Sequence, residues 1–204
     1  MKAREEILRR ISAAQVGTSD HPIRRDYSHT RELPDLLDQF VQRVEDYKAV
    51  VVRTGADGVA EAVAKCLAGT HKVVVPPGFK PSWVPAGLDI VADEPPLSSD
   101  ELDGVEAVLT SAAVGIAITG TIVLDHTEGQ GRRALTLVPD LHVCVIAADQ
   151  VVGDVPEAVA RVRAAVNSGR PLTWISGGSA TSDIELQRVE GVHGPRTLRV
   201  VLVE

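Results

Sequence analysis

From Ala49 onward, short apolar runs of Val, Ile, Leu and Ala alternate with stretches of helical periodicity, with glycine or proline between many of them. That alternation constrains the fold more than any other feature. Strands that are apolar along their whole length are buried on both faces, and strands separated by helices pair in parallel. The runs read as strands at Ala49–Arg53, Lys72–Val75, Asp89–Ala92, His142–Ala147, Leu172–Ser176 and Thr197–Val203. Helices are expected at Asp57–Ala68, closed by Gly69, at Ser98–Asp103, from Pro156 to about Asn167 with Gly169 beyond it, and at Ser182–Arg188, with a helical turn near Arg132–Leu137. Three further pieces, Ala107–Thr110, Val114–Thr119 and Thr121–Leu124, lie too close together for helical crossovers. They are expected to form an antiparallel insertion near 107–124. The fold class is therefore α/β, a mainly parallel sheet flanked by helices.

The N-terminal part is different. Residues 2–14 read as an amphipathic helix with Ala3, Ile7, Leu8, Ile11 and Ala14 on one stripe. Val16 to Arg31 is polar and reads as an extended arm lying over the domain or a partner. Pro34 then opens a helix whose buried face carries Leu36, Leu37, Phe40, Val41 and Val44. The division expected is 1–31, helix and arm, and 32–204, a single α/β domain.

Composition removes several functions. Aromatic residues are 3% of the chain and the net charge is −7, which argues against nucleic acid and against a basic membrane-surface patch. The uncharged run from Ala107 to Leu124 contains Thr110, Ser111, Thr119 and Thr121 and is broken by Gly115 and Gly120, so it reads as buried strands rather than a membrane insertion. Met1–Glu6 has no apolar leader, and the expected location is the cytoplasm. Cys66 and Cys144 are far apart in apolar surroundings and read as buried, inert thiols. The histidines show no metal-ligand spacing, so no metal is expected.

Four segments carry candidate chemistry. Ser176-Gly177-Gly178-Ser179 with Thr181 follows a strand and precedes a helix, a pattern that brings backbone close to an anion. Ser182-x-x-Glu185 is equally well a capping box that needs no ligand. Thr119-Gly120-Thr121 places hydroxyls beside a glycine, either lining a pocket or forming a tight hairpin in which Gly120 supplies positive φ. Arg132 and Arg133 follow a glycine loop and would clamp a carboxylate or phosphate, unless they only face solvent. His193, between Val192 and Gly194, is a candidate proton carrier or a local hydrogen-bonding group, and Asp183 and Glu185 are further candidates for moving a proton.

Thr119-Gly120-Thr121-Ile122-Val123-Leu124-Asp125, then Gly131-Arg132-Arg133-Ala134-Leu135-Thr136-Leu137-Val138-Pro139, resembles the lactate-utilization protein C family of LUD-domain proteins. So does the close, Trp174-Ile175-Ser176-Gly177 through Thr181-Ser182-Asp183-Ile184-Glu185 to Gly191-Val192-His193-Gly194-Pro195. The resemblance implies a fold similar to sugar-phosphate isomerases and CoA transferases, binding small acids or phosphates. It also implies a role in oxidising L-lactate to pyruvate beside partner proteins that carry iron–sulfur clusters. Ile118 stands where many relatives have Glu, and Gly178 where relatives often have Pro. Lactate oxidation releases two electrons, and this chain has neither a G-x-G-x-x-G turn after its first strand nor cluster-spaced cysteines. The expectation is an accessory subunit with no cofactor of its own. The alternative is an isomerase or acyl-transferase acting on a sugar phosphate or acyl-CoA.

Overall fold

The computed structural model describes residues 3–14, 22–181, 189–190 and 194–204. In chain order the elements are α1 (Ala3–Ala14), α2 (Leu36–Asp46), β1 (Val50–Thr54), α3 (Val59–Cys66), β2 (Lys72–Val74), β3 (Asp89–Val91), α4 (Ser99–Asp103), β4 (Ala107–Ser111), β5 (Val114–Ile116), β6 (Thr121–Leu124), β7 (Leu141–Ala147), β8 (Val151–Val152), α5 (Val155–Asn167), β9 (Thr173–Ile175), β10 (Ala180–Thr181), β11 (Val189–Glu190) and β12 (Thr197–Val203). Six strands form one sheet in the order β1-β12-β7-β4-β2-β3, parallel throughout. A second sheet has the order β8-β5-β6-β9 and is mixed.

The apolar run 107–124 divides between these sheets, which corrects the expected insertion. Ala107–Ser111 pairs in parallel with β2 and β7 inside the main sheet. Only Val114–Leu124 forms an antiparallel hairpin, in the second sheet. The lack of charge has one cause in both places, burial on two faces. Along β7, Val143 and Val145 face α3, packing with Val59, Val63 and Cys66. Cys144 and Ile146 face the other way, against Phe40 and Val44 of α2 and Ile122 and Leu124 of the second sheet. The far face of that second sheet, through Val114, Ile116 and Val123, packs on Ala158 and Val162 of α5. The layers are therefore α3, main sheet, second sheet with α2, and α5. Fully burying a side chain such as Phe40 stabilises this stack by roughly 1.5–3 kcal/mol relative to exposure.

Helix ends follow local chemistry. Ser98 and Glu101 form a capping box on α4, and Asp154 and Glu157 another on α5, where Pro156 fits the first turn. Gly69 and Gly169, beyond α3 and α5, take φ of 85° and 77°. The arm is anchored on the start of α5: Arg31 N donates to Glu157 Oε1 (3.0 Å), and its guanidinium lies 3.5 Å from Asp154. Among the described residues no helix is long and apolar enough to cross a membrane.

Candidate functional site

The segment after β9 lines a cavity of about 280 Å³. Its walls are Thr173–Ala180, Thr136 and Leu137, Gly194 and Pro195, with His142 and Leu198 from the main sheet. Leu198 and His142 stand at the amino ends of β12 and β7. Ligands of parallel sheets usually sit at the carboxyl edge, but β9 belongs to the mixed sheet, antiparallel to β6. The glycine loop is thereby carried to the opposite edge of the main sheet.

That loop is shaped by the fold's own backbone. Gly177 has φ of 88°, and a Cβ there would lie 2.5 Å from Tyr47 Cβ. A Cβ at Gly178 would strike the Arg196 carbonyl, and Ser179 N donates to the Pro195 carbonyl at 2.7 Å. Both glycines are thus explained by close approach to neighbouring segments. Gly120 is similar: with φ of 61° it turns the β5–β6 hairpin, and a Cβ would fall 2.5 Å from the Arg43 carbonyl carbon of α2.

Hydroxyls extend inward from the loop. Ser176 and Thr121 share a hydrogen bond of 2.8 Å, and Thr119 donates to Thr121 at 2.8 Å. The structure therefore brings together Thr119, Thr121 and Ser176 as a chain of hydroxyls, with Gly177, Gly178 and Ser179 forming the cavity wall. Thr181 pairs through its backbone with Val189 in β10–β11. Asp183, Glu185 and His193, and the expected helix Ser182–Arg188, lie outside the described residues.

Arg132 is engaged elsewhere. Its Nε and an Nη donate to the two oxygens of Asp93 at 2.7 and 2.9 Å, a two-point clamp on a carboxylate of the same chain. Only 7% of the Asp93 side chain is exposed. Burial opposes the charge on Asp93, but the Arg132 fork and the Leu97 N–H hold its pKa below the usual value. Arg133 is exposed, and neither arginine lines the cavity. Among the described residues, no Lys or Arg lines it.

The residue that sequence reasoning missed is His142. It is 1% exposed and lines the cavity, with Nε2 2.7 Å from the hydroxyl of fully buried Thr110. Burial pushes its pKa down to about 4, so the imidazole is neutral at pH 7. The available signal was a polar residue in an otherwise apolar strand, on the same face as Cys144 and Ile146. Burial also raises Cys144 to about 12 and Cys66 above its usual value, and both thiols are buried as expected.

The carboxyl edge of the main sheet holds a second cavity, about 400 Å³, at Ser111, Asp125, Thr127, Glu128, Gln150 and Arg161. β2 leads outward to β3 whereas β4 leads back to β7, so the crevice between β2 and β4 is the switch point. Gly129 fills that crevice: its N–H donates to the Pro77 carbonyl and its carbonyl accepts from Ser111 N, both 2.8 Å. The turn is held rigidly, with the Gln130 side chain bonding Asp125 and Thr127. His126, at φ of 57°, donates from Nδ1 to the Gly131 carbonyl (2.8 Å), and its Nε2 shares a hydrogen bond with the Thr173 hydroxyl (2.9 Å). No group of three or more His, Cys, Asp or Glu placed to hold a metal ion occurs among the described residues.

A parallel sheet backed by a mixed one, with helices on the outer faces and a glycine loop between the sheet edges, defines an α/β protein with a small, hydroxyl-lined cavity. The chain belongs to the LUD domain family, whose model matches residues 98–203. It is 48% identical to a lactate utilization protein C of Deinococcus radiodurans over 99% of this chain and 96% of that protein. It is 26% identical to an uncharacterized protein of Neisseria meningitidis over 100% of this chain and 94% of the relative. A crystal structure of a DUF162 family protein from Deinococcus radiodurans superposes with a TM-score of 0.76 at 47% identity, covering 87% of this chain and 99% of that one.

Proposed function

We propose that this chain serves an L-lactate oxidation system as a subunit without a redox centre of its own, holding a small carboxylate or phosphate at the glycine loop. The observation that carries the lactate context is 48% identity, across nearly the whole chain, to a protein named lactate utilization protein C. The cavity's size, its hydroxyls and its neutral imidazole suit a ligand with few heavy atoms and polar groups at one end.

Converting lactate to pyruvate removes two electrons and two protons, and an acceptor must take the electrons. Two buried thiols, one with its pKa raised to about 12, are poor candidates for thiolate ligation of a cluster. The acceptors in this reading are iron–sulfur clusters of partner proteins, against which this chain positions the acid or braces the assembly. Its place of action is the cytoplasm.

The test removes the gene and purifies the tagged chain from cells grown on L-lactate. Loss of growth on lactate but not on glucose, with cluster-bearing proteins copurifying, supports the reading. Unimpaired growth on lactate, oxidation of lactate by the isolated chain with a dye as sole oxidant, or steady turnover of a sugar phosphate or acyl-CoA would overturn it.

A further inference from the structure

The glycine-loop cavity has an uneven lining. Leu137, Ile175, Pro195 and Leu198 supply an apolar side, and among the described residues no Asp, Glu, Asn or Gln lines it. Its polar side ends in two groups whose protons can be placed by following their hydrogen bonds.

The first is His142. Its Nε2 lies 2.7 Å from the hydroxyl of Thr110, which is fully buried. A buried hydroxyl proton needs an acceptor. Besides the imidazole nitrogen, the side chain within its reach is Cys144, whose sulfur is a weak acceptor and whose own S–H points to the Ser111 carbonyl at 3.8 Å. Thr110 therefore donates to Nε2. A neutral imidazole carries one N–H, which then sits on Nδ1. Among the described residues Nδ1 has no hydrogen-bond partner, and His142 lines the cavity.

The second is Ser176. Thr119 donates to Thr121, and Thr121 in turn has the Ser176 oxygen as acceptor for its own proton, both at 2.8 Å. The Ser176 proton is left over, at the cavity wall. Each bond in such a chain polarises the next, which strengthens the terminal donor.

We propose that this cavity reads the oxidation state of the acid it holds, taking a 2-oxo acid in preference to the matching 2-hydroxy acid, with His142 Nδ1–H and the Ser176 hydroxyl donating to the ligand's oxygens. The inference rests on the reading above that a small acid binds here, and names the form. An oxo oxygen only accepts, so it suits a wall of donors. A 2-hydroxyl brings a proton of its own, and with no carboxylate or amide side chain to receive it, that proton is left unpaired away from water. The methyl end of either acid packs on the apolar side. By the thermodynamic cycle, the lactate–pyruvate equilibrium on the protein shifts toward pyruvate by the ratio of the two affinities.

Titration calorimetry of the full chain at neutral pH, with pyruvate, L-lactate, acetate and inorganic phosphate as probes, tests this. Pyruvate is expected to bind roughly tenfold tighter than L-lactate. S176A, at an exposed position, removes one donor. H142Q keeps a partner for Thr110 but loses the donor at Nδ1. Each variant should bring the affinity ratio toward one, with melting curves showing that it folds; S176A decides alone should H142Q not fold. Nitrogen NMR of isotope-labelled histidine should place the His142 proton on Nδ1, and that resonance should move with pyruvate. Pyruvate binding no tighter than L-lactate, a ratio unchanged in a folded variant, or a proton on Nε2 overturns the inference and leaves the small-acid reading standing. Failure of all four probes to bind overturns both.

Discussion

His142 is held where a second proton is unwelcome. Its native pKa is about 4 against an ordinary 6.5, with desolvation as the cause. Between those values the unfolded chain binds a proton that the native chain does not, so stability falls as pH drops through that window. A shift of this size corresponds to roughly 3 kcal/mol lost between pH 7 and pH 4. H142Q, which keeps a partner for Thr110, should flatten that part of the pH dependence in urea midpoints. Parallel slopes for variant and wild type would show that the imidazole is not desolvated. Arg132 makes the complementary case. R132A strands a nearly buried carboxylate and should cost about 2–3 kcal/mol by denaturant unfolding, while adding D93N to it should recover part of that loss. Full retention of stability in R132A would show that water can replace the guanidinium. The sequence suggests Arg132 as a clamp for a ligand's carboxylate or phosphate; in the structure its fork is on Asp93, 39 positions away, a partner that only tertiary structure brings to it.

At the scale of elements, punctuation is a dependable guide. Gly69 and Gly169 close their helices, Ser98 caps α4, and β12 spans Thr197–Val203 as read. What the residues do not show is which sheet a short apolar strand joins. Periodicity reports burial, and burial is equal in both sheets, so Ala107–Ser111 looks like its neighbours in the run although it pairs with β2 and β7. The glycine loop is legible as a loop, but the reason for its glycines is not, since Tyr47 and Arg196 are distant in sequence. Two substitutions separate the contributions. Gly169 has positive φ with nothing within 4 Å of the point a Cβ would occupy, whereas Gly177 has positive φ and Tyr47 against it. G169A should cost about 1 kcal/mol from backbone strain alone, and G177A clearly more, roughly 2–3 kcal/mol. Equal melting-temperature losses would mean that the loop can move away from Tyr47.

At the scale of the molecule, the cavity lies where the two sheets meet: β9 and its glycine loop on one side, the amino ends of β7 and β12 on the other. Neither sheet contains the site by itself. β7 and β12 are interior strands, paired on both sides, whereas β9, among the described residues, is an edge strand paired only with β6. Hydrogen exchange should therefore be slowest near Cys144–Val145 and Val200–Val201, where opening requires global unfolding, and faster over Thr173–Ile175. A small acid bound in the cavity, as proposed, would bridge the stable sheet to the weaker edge. With L-lactate or inorganic phosphate as the probe, exchange should slow over 173–180, with little change at Ser111–Ala113 and 127–130 around the carboxyl-edge cavity. The size of the slowing is set by occupancy, since binding only the native form stabilises by RT ln(1 + [L]/Kd). Protection confined to Ser111 and the 127–130 turn would instead move the ligand to the opposite edge of the sheet, where Arg161 supplies a cation that the glycine-loop cavity lacks among the described residues.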